Sequence, residues 1–238
     1  MARVICHAPR SSLPDLTASE EEYLEAIFVD EQKTGEKVKV KELASSLGIK
    51  APSVVEMLRK LKKLRFVDYD RSGVKLTKRG REQAARIVRR HQLAERLLSD
   101  VFGYGLPKVH DLACRFEHVL NDELADRLDK MLGKPKTCPH GDPIPSPEGR
   151  TIEIEGERLS DVGDEGECVV MVIPEDRGAV NRLLSLNVLP GAKVKVVEKL
   201  PRGAIILQCG RTQVALSRNI ASKILVGRHR HRRRRGRG

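Results

Sequence analysis

The sequence lacks several features that define common protein classes. No apolar run approaches the roughly 18 residues of a membrane span, and residues 1–14 have no apolar segment of the kind that directs secretion. We therefore expect neither a membrane protein nor a signal peptide. The five cysteines are an odd, scattered set without a CxxC pair, which argues against a disulfide framework and favours a reducing, cytoplasmic location. There is also no HExxH motif of a metallohydrolase.

Positive charge is concentrated in two parts of the chain, whose formal net charge is +12. Residues 37–81 carry a net charge of +10, whereas residues 82–136 carry only +1. A basic segment beside a near-neutral one predicts a module that binds a polyanion. Residues 227–238 contain seven arginines. We expect this tail and the patternless residues 1–15 to be disordered; the tail either binds nucleic acid non-specifically or is a solubilising or accidental extension.

The basic segment has the element pattern of a winged helix-turn-helix domain. A capping box at residues 17–20 predicts a first helix. A short helix is expected over 40–47 and a second one over 52–64, followed by two strands within 66–76. A helix pair alone would also fit a plain helical bundle. The hairpin and the positive charge together favour DNA binding.

The residues that follow carry metal-ligand side chains at helical spacing. Six of them fall on two consecutive predicted helices: His91 and Glu95 on the first, and His110, Cys114, Glu117 and His118 on the second. The latter four would share one face about 100° wide, where apolar side chains are usual. One such residue alone would more often belong to a solvated polar face. Six imidazole, thiol and carboxylate groups in phase instead predict a metal site.

The last part of the chain has a different composition. Five prolines between residues 135 and 147 indicate a linker over 134–158. Cys138 and His140 within it could bind metal, but a C-x-H pair without further ligands favours a structural or incidental role. Short β-type runs beside glycines follow over 159–226, with one helix over 175–186, and predict a small antiparallel barrel.

Two long motifs identify a family resemblance. Residues 90–98, RHQLAERLL, and residues 108–118, KVHDLACRFEH, are similar to motifs of the diphtheria toxin repressor family of metal-dependent transcriptional regulators, which has iron-responsive and manganese-responsive branches. Residues 138–145, CPHGDPIP, resemble a linker form of that family. The resemblance covers about residues 16–226. It implies a mainly α protein with a β module: a winged helix-turn-helix domain (16–77), a helical dimerisation and metal-binding domain (78–133), a linker (134–158) and an SH3-like domain (159–226).

The resemblance also assigns metal ligands by position. It implies one site made of His91, Glu95 and His110, to which the SH3-like domain adds Glu175 and Asp176. It implies a second, effector site made of Cys114, Glu117 and His118, completed from the first helix by Glu22 and, as in the manganese branch, Glu25. Iron-responsive members have Met where this chain has Glu22, and many manganese-responsive members have Glu where it has Cys114. The expected effector is therefore Mn(II), which the two acids favour, or Fe(II), with Co(II), Ni(II), Zn(II) or Cd(II) as surrogates.

The family represses metal-uptake genes when metal is abundant, so we expect a dimeric repressor that binds palindromic operator DNA. The expected DNA-binding residues lie at the second helix of the motif, on its approach and in the wing: Lys39, Lys50, Ala51, Pro52, Ser53, Glu56, Arg59, Lys60, Arg71 and Lys75. Residues 50–53 are placed near base edges and the other basic residues near phosphates. Glu56 either accepts from cytosine N4 or is simply solvated.

Two other functions remain open at this point. One is a DNA-binding protein whose metal is purely structural, which reversible metal dependence of DNA binding would distinguish from a sensor. The other is a metal-dependent hydrolase, for which nothing argues beyond the ligands themselves. No membrane partner and no small organic substrate are expected.

Overall fold

The structure is a computed structural model that describes residues 16–152, 154–201 and 203–228. The chain divides into two compact units between Ile87 and Val88, inside one helix. The expected disorder of residues 1–15 and 229–238 concerns parts of the chain outside the described residues.

Helices α1 (Ala18–Thr34), α2 (Val40–Leu47) and α3 (Ala51–Lys63) open the first unit, and strands β1 (Val67–Asp70) and β2 (Gly73–Leu76) follow. The order is the one predicted for a winged helix-turn-helix domain. The two strands pair antiparallel around a turn at Arg71 and Ser72. The apolar faces of the helices and of the hairpin supply the core residues Leu24, Ile27, Phe28, Leu43, Val54, Leu58, Leu61, Phe66 and Val74.

Local sequence sets the ends of these helices. The Thr17 backbone N–H donates to the Glu20 carboxylate at 2.8 Å, and the Glu20 N–H donates to the Thr17 hydroxyl, so the predicted capping box is confirmed. Gly35 and Gly48 end α1 and α2 in the left-handed conformation that glycine adopts without a steric penalty. The wing is held by Glu31, which is buried and accepts from the Leu76 N–H of β2.

The second unit begins within α4 (Lys78–Arg96), which continues as a π-helical turn over Leu97–Val101. A regular helix was expected as far as Phe102, but the Phe102 N–H donates to the Leu97 carbonyl, five residues back. Helix α5 (Leu106–Phe116) is followed by a 3₁₀ turn, Glu117–Val119, and by α6 (Asp122–Met131). The predicted ligand face is therefore split, because its last two members lie in the tighter turn.

The proline-rich linker folds back on itself. Thr137 pairs with Pro143, and the Cys138 N–H donates to the Asp142 carbonyl at 2.8 Å. Gly141, in the turn, has a φ of +101°, and a side chain there would collide with the backbone carbonyl of Met171. We refer to residues 137–143 as the linker hairpin.

The β module contains six antiparallel strands and two helices. They are β3 (Glu157–Arg158), β4 (Glu167–Val172), α7 (Arg177–Ser185), β5 (Lys193–Lys199), β6 (Ala204–Cys209), β7 (Thr212–Ser217), α8 (Arg218–Ala221) and β8 (Leu225–Arg228). The strand order is β3-β8-β4-β5-β6-β7. No pairing of β7 with β3 closes this sheet among the described residues, so the closed barrel expected from the sequence is not confirmed.

Two expected boundaries of this module need correction. Glu157 and Arg158 were assigned to the linker, but they pair with Val226 and Leu225 of β8. Gly227 and Arg228 were assigned to the disordered tail, but they pair with Val169 and Cys168 of β4. In both cases a neighbouring strand satisfies backbone groups that the linker and tail predictions left to solvent. In the part of the chain that the structure describes, no helix has the length and apolar character needed to cross a membrane.

Candidate metal centre

Helix α4 supplies two buried donors on one face. His91 and Glu95 are one helical turn apart, and Glu95 has no exposed surface at all. The Nε2 atom of His91 lies 3.4 Å from Glu95 Oε1. Because an unpaired buried carboxylate is costly, Glu95 requires positive charge or proton donors around it.

Helix α5 brings further donors to Glu95. His110 Nδ1 lies 3.6 Å from Glu95 Oε1, and its other ring nitrogen lies 3.6 Å from the Cys114 sulfur. Burial lowers the pKa of His110, but its bond to Cys114 and the nearby Glu95 and Glu175 carboxylates outweigh burial and raise that pKa to about 11. Burial raises the pKa of the Cys114 thiol, but His110 and His91 outweigh it and lower that pKa to about 7. A divalent ion at these atoms would replace the protons that the metal-free side chains hold.

The β module contributes Glu175, as the family resemblance implied. Glu175 Oε2 lies 3.5 Å from His110 Nδ1, and one donor atom from each of His91, Glu95, His110 and Glu175 falls within 4.8 Å of the others. The neighbouring Asp176 has a different role, because its carboxylate caps α7 by accepting from the Ala179 N–H at 2.9 Å. Asp176 belongs to none of the donor groups found among the described residues.

The linker hairpin adds two donors that the sequence analysis assigned to a structural or incidental role. Cys138 and His140 are buried, and together with Glu95 and Glu175 they form a second group whose donor atoms lie within 4.8 Å of one another. His140 Nδ1 is 3.1 Å from Glu95 Oε1. The signal in the sequence was the C-x-H pair itself, but its remaining partners lie more than thirty residues away on either side.

Two arginines of α4 hold the hairpin in place. Arg96 donates from Nε to the Thr137 carbonyl at 2.7 Å, directly before Cys138. Arg89, which is buried, donates to the Pro145 carbonyl at 3.2 Å and also pairs with Asp126 and Asp129 of α6. The same helix therefore carries metal donors and the clamps that position further donors.

The donors suit a first-row divalent ion. Imidazole, carboxylate and thiolate are its usual ligands. Glu95 Oε1 and His110 Nδ1 are buried yet make no hydrogen bond of normal geometry within the described residues, although they face each other. Burial opposes ionisation of Glu95, but His110, His140 and His91 outweigh it and hold the pKa of this carboxyl well below its usual range. A buried carboxylate that stays charged between imidazoles at non-bonding distances fits a cation site.

The predicted effector ligands of the second unit lie next to this cluster. Glu117 is only 1% exposed, and its Oε2 atom lies 2.5 Å from His91 Nδ1. Its other oxygen lies 3.6 Å from Nε2 of His118. Glu22 and Glu25 are on α1 in the first unit, where Glu22 is exposed and Glu25 is half-buried.

All ten predicted DNA-binding residues are exposed. They comprise Lys39 before α2, Lys50 to Ser53 at the start of α3, Glu56, Arg59 and Lys60 along α3, and Arg71 and Lys75 in the wing. Lys60 also pairs with Glu20 at 3.0 Å. The exposure of apolar Ala51 and Pro52 at the start of a helix is consistent with a contact surface.

Comparison with known proteins gives the same division of roles. Family models match residues 15–73 (iron dependent repressor, N-terminal DNA binding domain), 77–146 (iron dependent repressor, metal binding and dimerisation domain) and 157–228 (FeoA domain).

Individual relatives match nearly the whole chain. It is 32% identical to the iron-dependent repressor IdeR of Mycobacterium leprae, over 89% of this chain and 98% of that protein. It is 30% identical to the diphtheria toxin repressor of Corynebacterium diphtheriae, over 90% and 99%. The solved structure of a manganese-dependent transcriptional repressor in complex with manganese matches with a TM-score of 0.83 at 31% identity, over 88% of this chain and 100% of that one. The chain therefore belongs to the iron-dependent repressor family, and it is a metal-dependent transcriptional repressor rather than an enzyme.

Proposed function

We propose that this repressor takes Mn(II) or Fe(II) as its effector and, when metal-loaded, binds a palindromic operator of metal-uptake genes as a homodimer. The observation that carries the proposal is the buried donor cluster around Glu95, which no protein group neutralises as well as a divalent ion would. The manganese and iron in the names of the relatives support these two metals.

The effector ion is proposed to bind Cys114, Glu117 and His118 of the second unit together with Glu22 and Glu25 of α1. Support comes from the burial of Glu117 between two imidazoles, and from the spacing of Glu22 and Glu25, which places them one turn apart on one helix face. An ion held by donors from both units fixes the orientation of one unit relative to the other. The free energy of metal binding then becomes free energy of ordering.

The first unit is proposed to read DNA through α3 and to contact phosphates through the wing. The exposure of the ten predicted residues supports this assignment. In a dimer, two recognition helices about 34 Å apart reach successive major grooves, which is why a palindromic operator is expected. Without metal the two helices would not be held at that spacing.

The dimer surface is proposed to lie on the helical part of the second unit. Its exposed large apolar residues are Val101, Phe102, Tyr104, Phe116, Val119, Leu124 and Met131. Phe102→Asp should convert the dimer to a monomer in analytical ultracentrifugation, because it buries a charge in the interface. Ile152→Asp is the matched control, since Ile152 is similarly exposed (62% against 60%) but lies outside this surface. A monomer with both substitutions, or with neither, would contradict the assignment.

The cellular location and the domain limits complete the proposal. Free cysteines and a DNA partner favour the cytoplasm. The DNA-binding and dimerisation domains are proposed to meet near residue 77, and the linker to begin near residue 134.

The test is operator binding against free metal concentration. The purified protein should bind a selected palindrome with Mn(II), Fe(II) or Co(II) and lose that binding with a chelator, because metal sets the spacing of the two helices. Equal affinity with and without chelator would leave a structural metal as the better account. Hydrolytic turnover of a model ester or phosphodiester would contradict the proposal.

Metal preference is tested by two substitutions with opposite expected effects. Glu22→Met replaces a hard oxygen with a soft thioether and should shift preference towards Fe(II), Co(II) and Ni(II). Cys114→Glu should shift it towards Mn(II). An unchanged metal ranking in both variants would mean that selectivity is set at His91, Glu95 and His110 instead.

A further inference from the structure

The donors around Glu95 form two groups that share two members. The first group is His91, Glu95, His110 and Glu175; the second is Glu95, Cys138, His140 and Glu175. Within each group the donor atoms lie within 4.8 Å of one another. Glu95 from α4 and Glu175 from the start of the α7 segment are common to both.

One ion is too small to take all six side chains as they stand. Nitrogen, oxygen and sulfur ligands lie about 2.0–2.3 Å from a first-row divalent ion, so two donors on one ion are at most about 4.6 Å apart. Among the described residues, the six donors do not come together in one group even at 4.8 Å. Two ions, each with four protein ligands, match the arrangement.

The shared residues are of the type that can serve two ions. A carboxylate has two oxygens, whereas an imidazole or a thiolate of this set offers one donor atom to the centre. Glu95 lies between the groups: Oε1 is 3.4 Å from His91 Nε2 and 3.1 Å from His140 Nδ1, and Oε2 is 3.3 Å from the same His140 nitrogen.

A separate observation indicates that the hairpin side of the centre needs a ligand. His140 is fully buried, and its Nε2 atom has no hydrogen-bond partner among the described residues. Its position is nevertheless fixed, because its carbonyl accepts from the Ile173 N–H at 3.0 Å. A buried imidazole held rigidly against a charged carboxylate, with its ring incompletely satisfied, points to a cation site.

We propose that this centre binds two divalent ions at the same time, bridged by the carboxylates of Glu95 and Glu175. Two carboxylates and the Cys138 thiolate offset most of the charge of the two ions. The pair of ions cross-links α4, α5, the linker hairpin and the β module, so that the module is fixed only when both positions are filled. The inference rests on the proposed function only in taking this chain to bind divalent metal.

The first experiment locates the ions. Crystals of the full chain grown with Mn(II) should show two anomalous-difference peaks at this centre, about 3.5–4 Å apart as in other two-metal sites. Electron paramagnetic resonance of the same protein should show an exchange-coupled pair. A single peak with an uncoupled signal would overturn the proposal.

The second experiment counts ions by mass spectrometry of the metal-loaded, gel-filtered protein. Cys138→Ala and His110→Ala each remove a donor from one group only, so each variant should hold one ion fewer per protomer than wild type and lose the coupled signal. If one ion moved between overlapping sites, each variant would keep the wild-type count, and the proposal would fail. Cys209→Ala is the control, because that half-buried thiol in β6 belongs to neither group.

Folding and function are kept separate from the count. Thermal unfolding of the metal-free variants shows whether either substitution disturbs the fold, and a crystal of wild type decides the question if one does. Loss of operator binding alone would count against the proposed function and leave the number of ions at this centre unchanged.

Discussion

The DNA-binding residues of the first unit are exposed and lie within one short stretch of sequence, whereas the metal donors of the second unit are buried and come from four separate segments. On α3 and the wing, water already satisfies the charged groups, so those residues need no partner to be stable in the free protein. Around Glu95, buried nitrogen, oxygen and sulfur atoms face one another without normal hydrogen bonds. The comparison assigns ion-dependent stability to the second unit and salt-dependent affinity to the first.

The largest expected effect comes from removing an effector ligand. His118→Ala should reduce metal-activated operator binding by more than the about 10–100-fold that changes in residues supporting metal ligands typically cost. The fold should be retained, because His118 is half-buried and not part of the apolar core. Arg115→Ala, an exposed neighbour on α5, is the control. Electrophoretic mobility shifts at fixed Mn(II) measure the difference, and equal binding by both variants would contradict the effector site.

The same contrast explains what the sequence predicted. Helix ends in the first unit follow from local signals, such as the Thr17–Glu20 capping box and Gly48. The spacing of His91, Glu95 and His110 predicted one donor group because helical periodicity is also local. Cys138 and His140 were not recognised as ligands, since their burial depends on Arg96 and Ile173, which are distant in sequence.

Turn geometry and strand pairing set the other limits. The 3₁₀ turn at Glu117 is decided by how α5 ends, which periodicity does not encode. Gly227 and Arg228 have a tail-like composition, but they form a strand because β4 offers free backbone partners.

The next effect tests whether the second unit depends on its arginine clamp. Arg89→Ala should lower the free energy of unfolding of the metal-free protein by about 3 kcal/mol, because it leaves a buried carbonyl and two carboxylates without their partner. Arg127→Ala breaks only an exposed pair with Glu123 and should cost less than about 0.5 kcal/mol. Urea denaturation measures both. Equal losses in the two variants would remove the distinction between buried and exposed charges drawn here.

A smaller effect is expected at the DNA surface of the first unit. Arg59→Ala should weaken operator binding and reduce the slope of log affinity against log salt by about 0.9, the value for one phosphate contact. Arg182→Ala, an exposed arginine of α7, should leave the slope unchanged. Fluorescence anisotropy at several salt concentrations provides the slopes, and a change in base preference without a change in slope would assign Arg59 to base reading instead.

The smallest effect concerns the stability of the first unit against pH. Burial opposes ionisation of Glu20, but hydrogen bonds from Thr17 and the ion pair with Lys60 outweigh it and lower the pKa of this carboxyl. Its contribution is therefore present above the ordinary pKa of 4.5 and is lost as pH falls through the lower folded value. Glu20→Gln should cost about 0.5–1 kcal/mol at pH 7, and the difference from wild type should disappear in acid. A difference that persists at pH 2 would mean that shape rather than charge makes the contribution.

The most direct test of the account measures the coupling between the two units from both sides. Because binding free energies are linked, the factor by which Mn(II) raises operator affinity must equal the factor by which operator DNA raises Mn(II) affinity at the effector site. Calorimetric titrations of Mn(II) into the protein with and without operator, set beside operator titrations with and without Mn(II), give the two factors. The account predicts equal factors well above one in wild type and factors of one in His118→Ala. Mn(II) affinity that is the same with and without operator would show that metal binding and DNA binding are independent, and would contradict a metal-controlled repressor.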